Sequence, residues 1–446
     1  MKKFAVLFLS ILFFACAPDA PKQASFIFSG KIDNPNRSGF LLTMGDFSQE
    51  VKMDADGNFS AEVIGAEEGI YTLWDSVEST KVYVYPNKDL KMTMDTKMFD
   101  ESIVYEGEGA AASNYLVKKY IFEEENNVDY KELYSMEEAD FVAKISGMAK
   151  IQLSLLMQDN KLDENFVNSM KKSIDYSRLN YISNYKSAHS YYAKKPDFEP
   201  SADFLKPLEN IAMDNEKDYK NSQEYKNLVA SYYTSGDVLD NITKLESLKN
   251  DYIKNDLLGT VQYSMRPGIE NLDEVYNRLS KLTTDDKFNT DLKAKYEKYL
   301  GLAPGNASPL FNYPDTEGRM VSLEDLKGKV VYVDVWATWC GPCLGEIPSL
   351  KILESEYHGK NIEFVSISID RVADHGKWLK MVSYKELKGI QLFADKDWKS
   401  QFAQDYGIEG IPRFILIDQS GNIVSPDAPR PSSEGEIRNL INGLGV

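Results

Sequence analysis

Cys340 and Cys343 lie three residues apart in the stretch VDVWATWCGPCLGEIP, residues 333–348, together with two carboxylates, Asp334 and Glu346. These residue types support three readings: a thiol pair whose exchange chemistry the acids serve by moving protons, half of a metal site, or an inert buried turn. The chain has one further cysteine, Cys16. A bridge between residues 340 and 343 closes a loop of only four residues. It adds almost nothing to stability, because the entropy taken from the unfolded chain grows with loop length. A zinc site needs four ligands, usually with a second cysteine pair or a close histidine pair. The histidines are His189, His358 and His375, and none is paired at ligand spacing. No metal and no other cofactor is expected, and the pair reads as chemical.

The rest of the chain must position that pair. At 446 residues the length suggests about three domains. With 43% hydrophobic and 12% aromatic residues the chain can bury real cores. A net charge of −18 argues against nucleic acid as a partner, since phosphate binding needs basic patches. Residues 25–108 read as an antiparallel β domain, a sandwich or barrel. Runs such as SFIFSGKI, GFLLTMG, NFSAEVI and KVYVYPN are short, aromatic and β-branched, with Gly, Asp and Asn turns between them. Residues 112–300 read as a helical region. Phe141, Ile145, Met148, Ile151 and Leu155 follow three- and four-residue steps, as do Leu179, Ile182, Tyr185, His189 and Tyr192. His189 on such a face reads as a core histidine, not a ligand. A linker, GLAPGNASP at 301–309, separates this region from residues 310–446, where strands and helices alternate in an α/β domain.

The N-terminus adds a destination. MKK is a basic flank, and FAVLFLSILFFA, residues 4–15, is an apolar run too short to cross a membrane. With Ala15 directly before Cys16, residues 1–15 resemble a bacterial lipoprotein signal, which would make Cys16 the lipidated residue and tie the chain to a membrane surface. Ordinary signal-peptide cleavage would instead release it into the periplasm.

WCGPC after a strand and at the start of a helix resembles the thioredoxin fold, and more narrowly the TlpA/ResA-like thiol–disulfide oxidoreductases of bacterial envelopes. The resemblance covers about residues 303–446 and includes SLEDLKGKVVYVDVWATWCGPC, GIP at 410–412 and DQSGNIV at 418–424. It implies a C-terminal thioredoxin fold in a multidomain envelope protein, with protein thiols and disulfides as substrates and a membrane electron donor. In one helical turn residues i and i+3 share a face, so the two sulfurs can meet in a disulfide. At the helix N-cap, the free N–H groups and the dipole would stabilise a Cys340 thiolate. Cys340 is the expected nucleophile and Cys343 the resolving thiol. Gly341 permits the tight entry, Pro342 costs little in a first turn, and Trp339 would shield the pair. The match of GIP predicts a cis Ile411–Pro412 bond, with Pro412 facing the cysteines and the backbone of Ile411 open to an extended substrate. Thioredoxins carry a buried aspartate where Asp334 stands, and the TlpA/ResA-like branch carries a glutamate where Glu346 stands. Either acid could deprotonate Cys343.

Three alternatives compete. A peroxiredoxin-like peroxidase expects threonine three residues before its cysteine, where this chain has Ala337. An anchored binding module with an incidental thioredoxin domain is opposed by the complete WCGPC and GIP. The Gly-Pro dipeptide resembles reducing thioredoxins and favours a reductase, though the same dithiol could run as an oxidase or isomerase in an oxidising compartment.

Overall fold

The computed structural model describes residues 24–446, so the expected signal segment and Cys16 lie outside the described residues. The chain divides into two compact units, one ending at Ser231 and the other spanning Tyr232–Val446, and the helical stretch is shared between them. Among the described residues no helix is long and apolar enough to cross a membrane.

The first unit begins with eight strands: β1 (Ser25–Asp33), β2 (Gly39–Met44), β3 (Phe47–Lys52), β4 (Asn58–Ile64), β5 (Gly69–Trp74), β6 (Ser79–Val84), β7 (Leu90–Asp95) and β8 (Val104–Gly107). They form two four-stranded sheets, β4-β1-β7-β8 and β3-β2-β5-β6. Inward residues of both sheets share one core, where Phe28, Phe40 and Phe59 meet edge to face at centroid distances of 5.1–5.9 Å. One pairing departs from the expected antiparallel pattern, because β1 and β7 run parallel. Parallel neighbours need a long crossover, and here β2–β6 supply it, a long-range choice that alternation within a strand does not encode.

Helices follow. In Glu138–Leu156 the expected apolar face holds at Phe141 and Ile145 but drifts by Ile151, which is 54% exposed, while Leu156 is buried in its place. In Glu164–Tyr192, Leu179, Ile182, Tyr185 and His189 are buried as one face. His189 Nδ1 lies 2.8 Å from the Tyr134 carbonyl and its ring packs on Tyr185 and Phe198, the environment of a core histidine.

In the second unit, helices Val238–Ser247, Asp251–Tyr263, Leu272–Leu279 and Asp286–Gly301 precede the α/β region. That region holds a small hairpin, β9 (Asn312–Pro314) and β10 (Met320–Ser322), then β11 (Val330–Trp336), β12 (Ile362–Ser368), β13 (Ile390–Phe393), β14 (Arg413–Ile417) and β15 (Ile423–Ser425). The five-stranded sheet runs β13-β12-β11-β14-β15, with β12 parallel to β11 and β13, and β14 antiparallel to β11. Central β11, VVYVDVW, is buried at all seven positions, as a strand covered on both faces must be. Alternation puts Val330, Tyr332 and Asp334 on one face. There Val330 and Tyr332 share a core with Leu350 and Leu353 of helix Gly341–Glu356 and with Ile437 and Ile441 of the last helix. This is a thioredoxin fold.

Candidate active site

Strand β11 ends at Trp336, and four residues later Cys340 caps helix Gly341–Glu356. The Cys340 backbone is extended (φ −84°, ψ 97°) and its sulfur accepts the Cys343 N–H at 3.2 Å. An N-cap sulfur therefore meets N–H groups that the helix leaves unpaired. Cys340 and Cys343 are joined in a disulfide with a Cα–Cα separation of 5.3 Å. Gly341 and Pro342 are exposed at the helix tip, and Pro342 occupies the first turn. Trp339 is 52% exposed, and its ring lies 6.2 Å from that of Trp398, a second aromatic beside the dithiol loop that the sequence reading missed.

The loop between strand and helix is braced from below. The carboxylate of Asp370, fully buried just after β12, accepts the Thr338 N–H at 2.9 Å, the Thr338 hydroxyl at 2.7 Å and the Ser368 hydroxyl at 2.8 Å. Removing it leaves three buried donors without an acceptor. Asp370→Ala is therefore expected to cost about 1–3 kcal/mol, seen as a lower urea midpoint at unchanged m. An unshifted midpoint would mean that the brace is not needed.

The Ile411–Pro412 peptide is cis. Arg413 pairs with Val335 across β14 and β11, so this peptide lies at the end of the sheet where the dithiol helix begins. The main-chain N–H and carbonyl of Ile411 hydrogen-bond to no described residue.

The two acids have separate settings. Helix Gly341–Glu356 buries Cys343, Glu346, Ile347, Leu350 and Leu353, the i, i+3, i+4, i+7 stripe of a core-facing helix with a carboxylate in one apolar place. Glu346 is tethered: Ser432 donates its N–H at 3.1 Å and its hydroxyl at 2.9 Å, and Arg430 stands 3.8 Å away. Asp334 is buried, and loss of water pushes its carboxyl up to about 8. Repulsion from Glu346 and Glu354 adds to the rise, and a hydrogen bond with Ser366 opposes it. Glu354, which the sequence reading also missed, is pushed up to about 7 by burial against the pull of Lys351 and Lys388. Asp334, Glu354, Ser366 and Gln391 line one cavity of about 10 Å³, and the buried Gln391 Oε1 has no hydrogen-bond partner among the described residues. The space is close to what one water needs. A carboxylate eight residues after Glu346, nearly on the helix's buried stripe, was the signal available for Glu354. Asp370 had none, because only the fold brings it beneath Thr338.

Among the described residues no group of three or more His, Cys, Asp or Glu side chains is arranged to hold a metal ion.

Known proteins resemble this region. The family model described as Redoxin matches residues 303–441. The thiol-disulfide oxidoreductase ResA of Geobacillus thermodenitrificans is 30% identical over 128 residues, which is 29% of this chain and 71% of the relative. ResA of Bacillus thuringiensis is 30% identical over 120 residues, 27% of this chain, and the chain spans 66% of that relative's length. A crystal structure of a Bacteroides vulgatus protein assigned as a thiol-disulfide oxidoreductase is 40% identical, with coverage of 32% of this chain and 98% of that one and a TM-score of 0.30.

Proposed function

Because the chain belongs to the ResA-like thiol-disulfide oxidoreductases of thioredoxin fold, we propose that it reduces disulfides of envelope proteins through Cys340 and Cys343. The observation that carries the reading is the cysteine pair at a helix N-cap, set at the end of the sheet that also holds the cis Ile411–Pro412 peptide. In the reduced protein the Cys340 thiolate attacks one sulfur of a substrate disulfide. A mixed disulfide forms and the other substrate sulfur leaves as a thiolate. Cys343, deprotonated, then attacks the Cys340 sulfur, which releases the second substrate thiol and leaves the Cys340–Cys343 disulfide. Two electrons have passed to the substrate, and a membrane-bound dithiol donor restores the pair.

Asp334 is the proton carrier in this scheme, since a carboxyl that titrates near 8 can take and return a proton at working pH. Glu354 and the small cavity offer that proton a way toward the helix flank. Glu346 raises Asp334 and ties the helix to the loop at Ser432. The backbone of Ile411 takes the substrate as a short added strand, with Pro412 beside it, and Trp339, Gly341 and Pro342 form the rest of the contact face. Residues 1–15 act as a signal segment, Cys16 is the lipid anchor, and the chain faces the periplasm from a membrane surface. Along the sequence the limits 25–108, 112–300 and 310–446 mark its regions, with 301–309 as linker, and the helical region contributes to both compact units.

Direction is tested by the reduction potential of the Cys340–Cys343 pair, measured against glutathione or dithiothreitol buffers. A value near that of thioredoxin, about −270 mV, is expected, whereas a value near that of DsbA, about −120 mV, would make the protein an oxidant. Failure of the reduced protein to pass electrons to any protein disulfide would overturn the activity itself.

A further inference from the structure

A groove of about 380 Å³ opens beside the cis-Pro412 loop, and the α/β region supplies only one of its walls. The other is formed by Tyr263, Met265, Arg266 and Tyr299, from the helical segment that precedes it in the same compact unit. Contacts fix that segment against the loop. The Tyr263 hydroxyl donates to the Glu409 carbonyl at 3.3 Å, and Lys295 Nζ donates to the Glu409 carboxylate at 2.9 Å. The Tyr299 ring sits where a Cβ on Gly407 would come within 2.9 Å of it.

The charge of the groove is unlike that of the chain. The protein carries −18 overall and has nine arginines, of which three, Arg266, Arg413 and Arg430, line this one groove. Its acids are already engaged. Glu409 is held by Lys295, and Asp427 lies 3.3 Å from Arg413 and 3.9 Å from Arg266. Arg430 stands 3.8 Å from Glu346. Four cations therefore face three anions. The Arg266 and Arg430 side chains are 62% and 53% exposed, and neither guanidinium hydrogen-bonds a described residue. Separations of 3.8–3.9 Å are Coulombic contacts, too long for hydrogen bonds, so both forks keep their donors free for a carboxylate.

We propose that this groove is an acidic-segment subsite: it takes Asp or Glu side chains that flank the target cysteine of an extended protein substrate. The inference rests on the reading that substrate adds along Ile411, which places the residues flanking the attacked cysteine beside Gly410–Pro412, the floor of the groove. Helices outside the thioredoxin fold thus select among substrates that the dithiol alone would treat alike.

The test uses the full chain and three disulfide-linked peptides that differ only in Glu, Gln or Lys at the positions flanking the reactive cysteine. KM for the Glu peptide should be about tenfold below that for the Gln peptide, the size of one charged hydrogen bond, with kcat alike and the Lys peptide weakest. The Glu advantage should shrink as salt rises. Arg266→Gln should erase most of the preference, and Arg266→Glu should invert it toward Lys, an inversion that an unfolded variant cannot produce. Equal KM values for all three peptides with the unaltered protein would overturn the subsite and leave the oxidoreductase reading standing. Absence of turnover with every peptide would overturn that reading, and the subsite with it.

Discussion

Replacing Cys343 by serine leaves Cys340 joined to its substrate. In the proposed reaction the Cys343 thiolate frees the mixed disulfide, and serine at the same place in the first helical turn cannot attack sulfur at neutral pH. The variant keeps the N-cap hydrogen bond, since the donor to the Cys340 sulfur is the backbone N–H of residue 343, which the substitution retains. Cys343→Ser should therefore form adducts with envelope proteins that survive denaturation and vanish on reduction, while turnover falls to background. Cys340→Ser should lose turnover equally, by roughly 10³-fold or more as expected for a missing nucleophile, and should trap nothing. The assay is a non-reducing gel of each variant after exposure to oxidised envelope protein, followed by identification of the bound partners. If Cys340→Ser traps partners and Cys343→Ser does not, the two roles are exchanged. If neither does, the dithiol is not the exchanging group.

The second large effect couples activity to stability. Asp334 is neutral in the folded protein up to about pH 8, whereas in the unfolded chain it ionises near pH 4. Between those values the folded state holds a proton that the unfolded state has lost, so stability falls as pH rises across this window. A rise from 3.8 to about 8 corresponds to ~6 kcal/mol at most, the full cost being reached above the folded value. Asp334→Asn removes that cost. The oxidised variant should unfold at a higher temperature than the unaltered protein at pH 8, by several kcal/mol in free energy, with a much smaller difference at pH 5. The same change removes the proposed proton carrier, and release of the mixed disulfide should slow by roughly 10²-fold, the lower end for a lost general base, because Glu346 and Glu354 stay nearby. Thermal denaturation at the two pH values and single-turnover rates from pH 6 to 9 check both halves. A variant that gains stability without losing rate would shift proton transfer to Glu346. One that gains no stability at pH 8 would mean that Asp334 is ionised in the folded protein.

Both effects arise from one arrangement: an acid on a fully covered strand, beneath a helix that begins with a dithiol. Natural sites often retain groups that lower stability where activity needs them. Asp334 would fit that pattern, because burial and two nearby carboxylates oppose its ionised form.

The parts of this arrangement that were legible in the sequence are those set by short spacing. The run VVYVDV has the composition of a buried strand, and all seven residues of Val330–Trp336 are buried. CGPC reads as a helix start, and Cys340 is its N-cap with Pro342 in the first turn. The cis Ile411–Pro412 bond was legible through the motif and not through propensity. Each of these depends on neighbours within about one turn of helix or a few strand positions, so a linear chain carries the information.

What the sequence could not disclose depends on residues far apart along the chain. The parallel pairing of β1 with β7 joins strands more than fifty residues apart. Asp370 reaches Thr338 from the end of a neighbouring strand, Trp398 meets Trp339 from beyond β13, and Arg266 reaches the cis-proline groove from a different helical segment. The protonation of Asp334 belongs to the same class. Its position was readable, but its rise to about 8 comes from desolvation by the elements packed over it and from two carboxylates on the opposing helix. Spacing and motif marked groups that could act, whereas only the tertiary structure decided which of them are held, paired and deprived of water, because desolvation and charge coupling depend on distances in space.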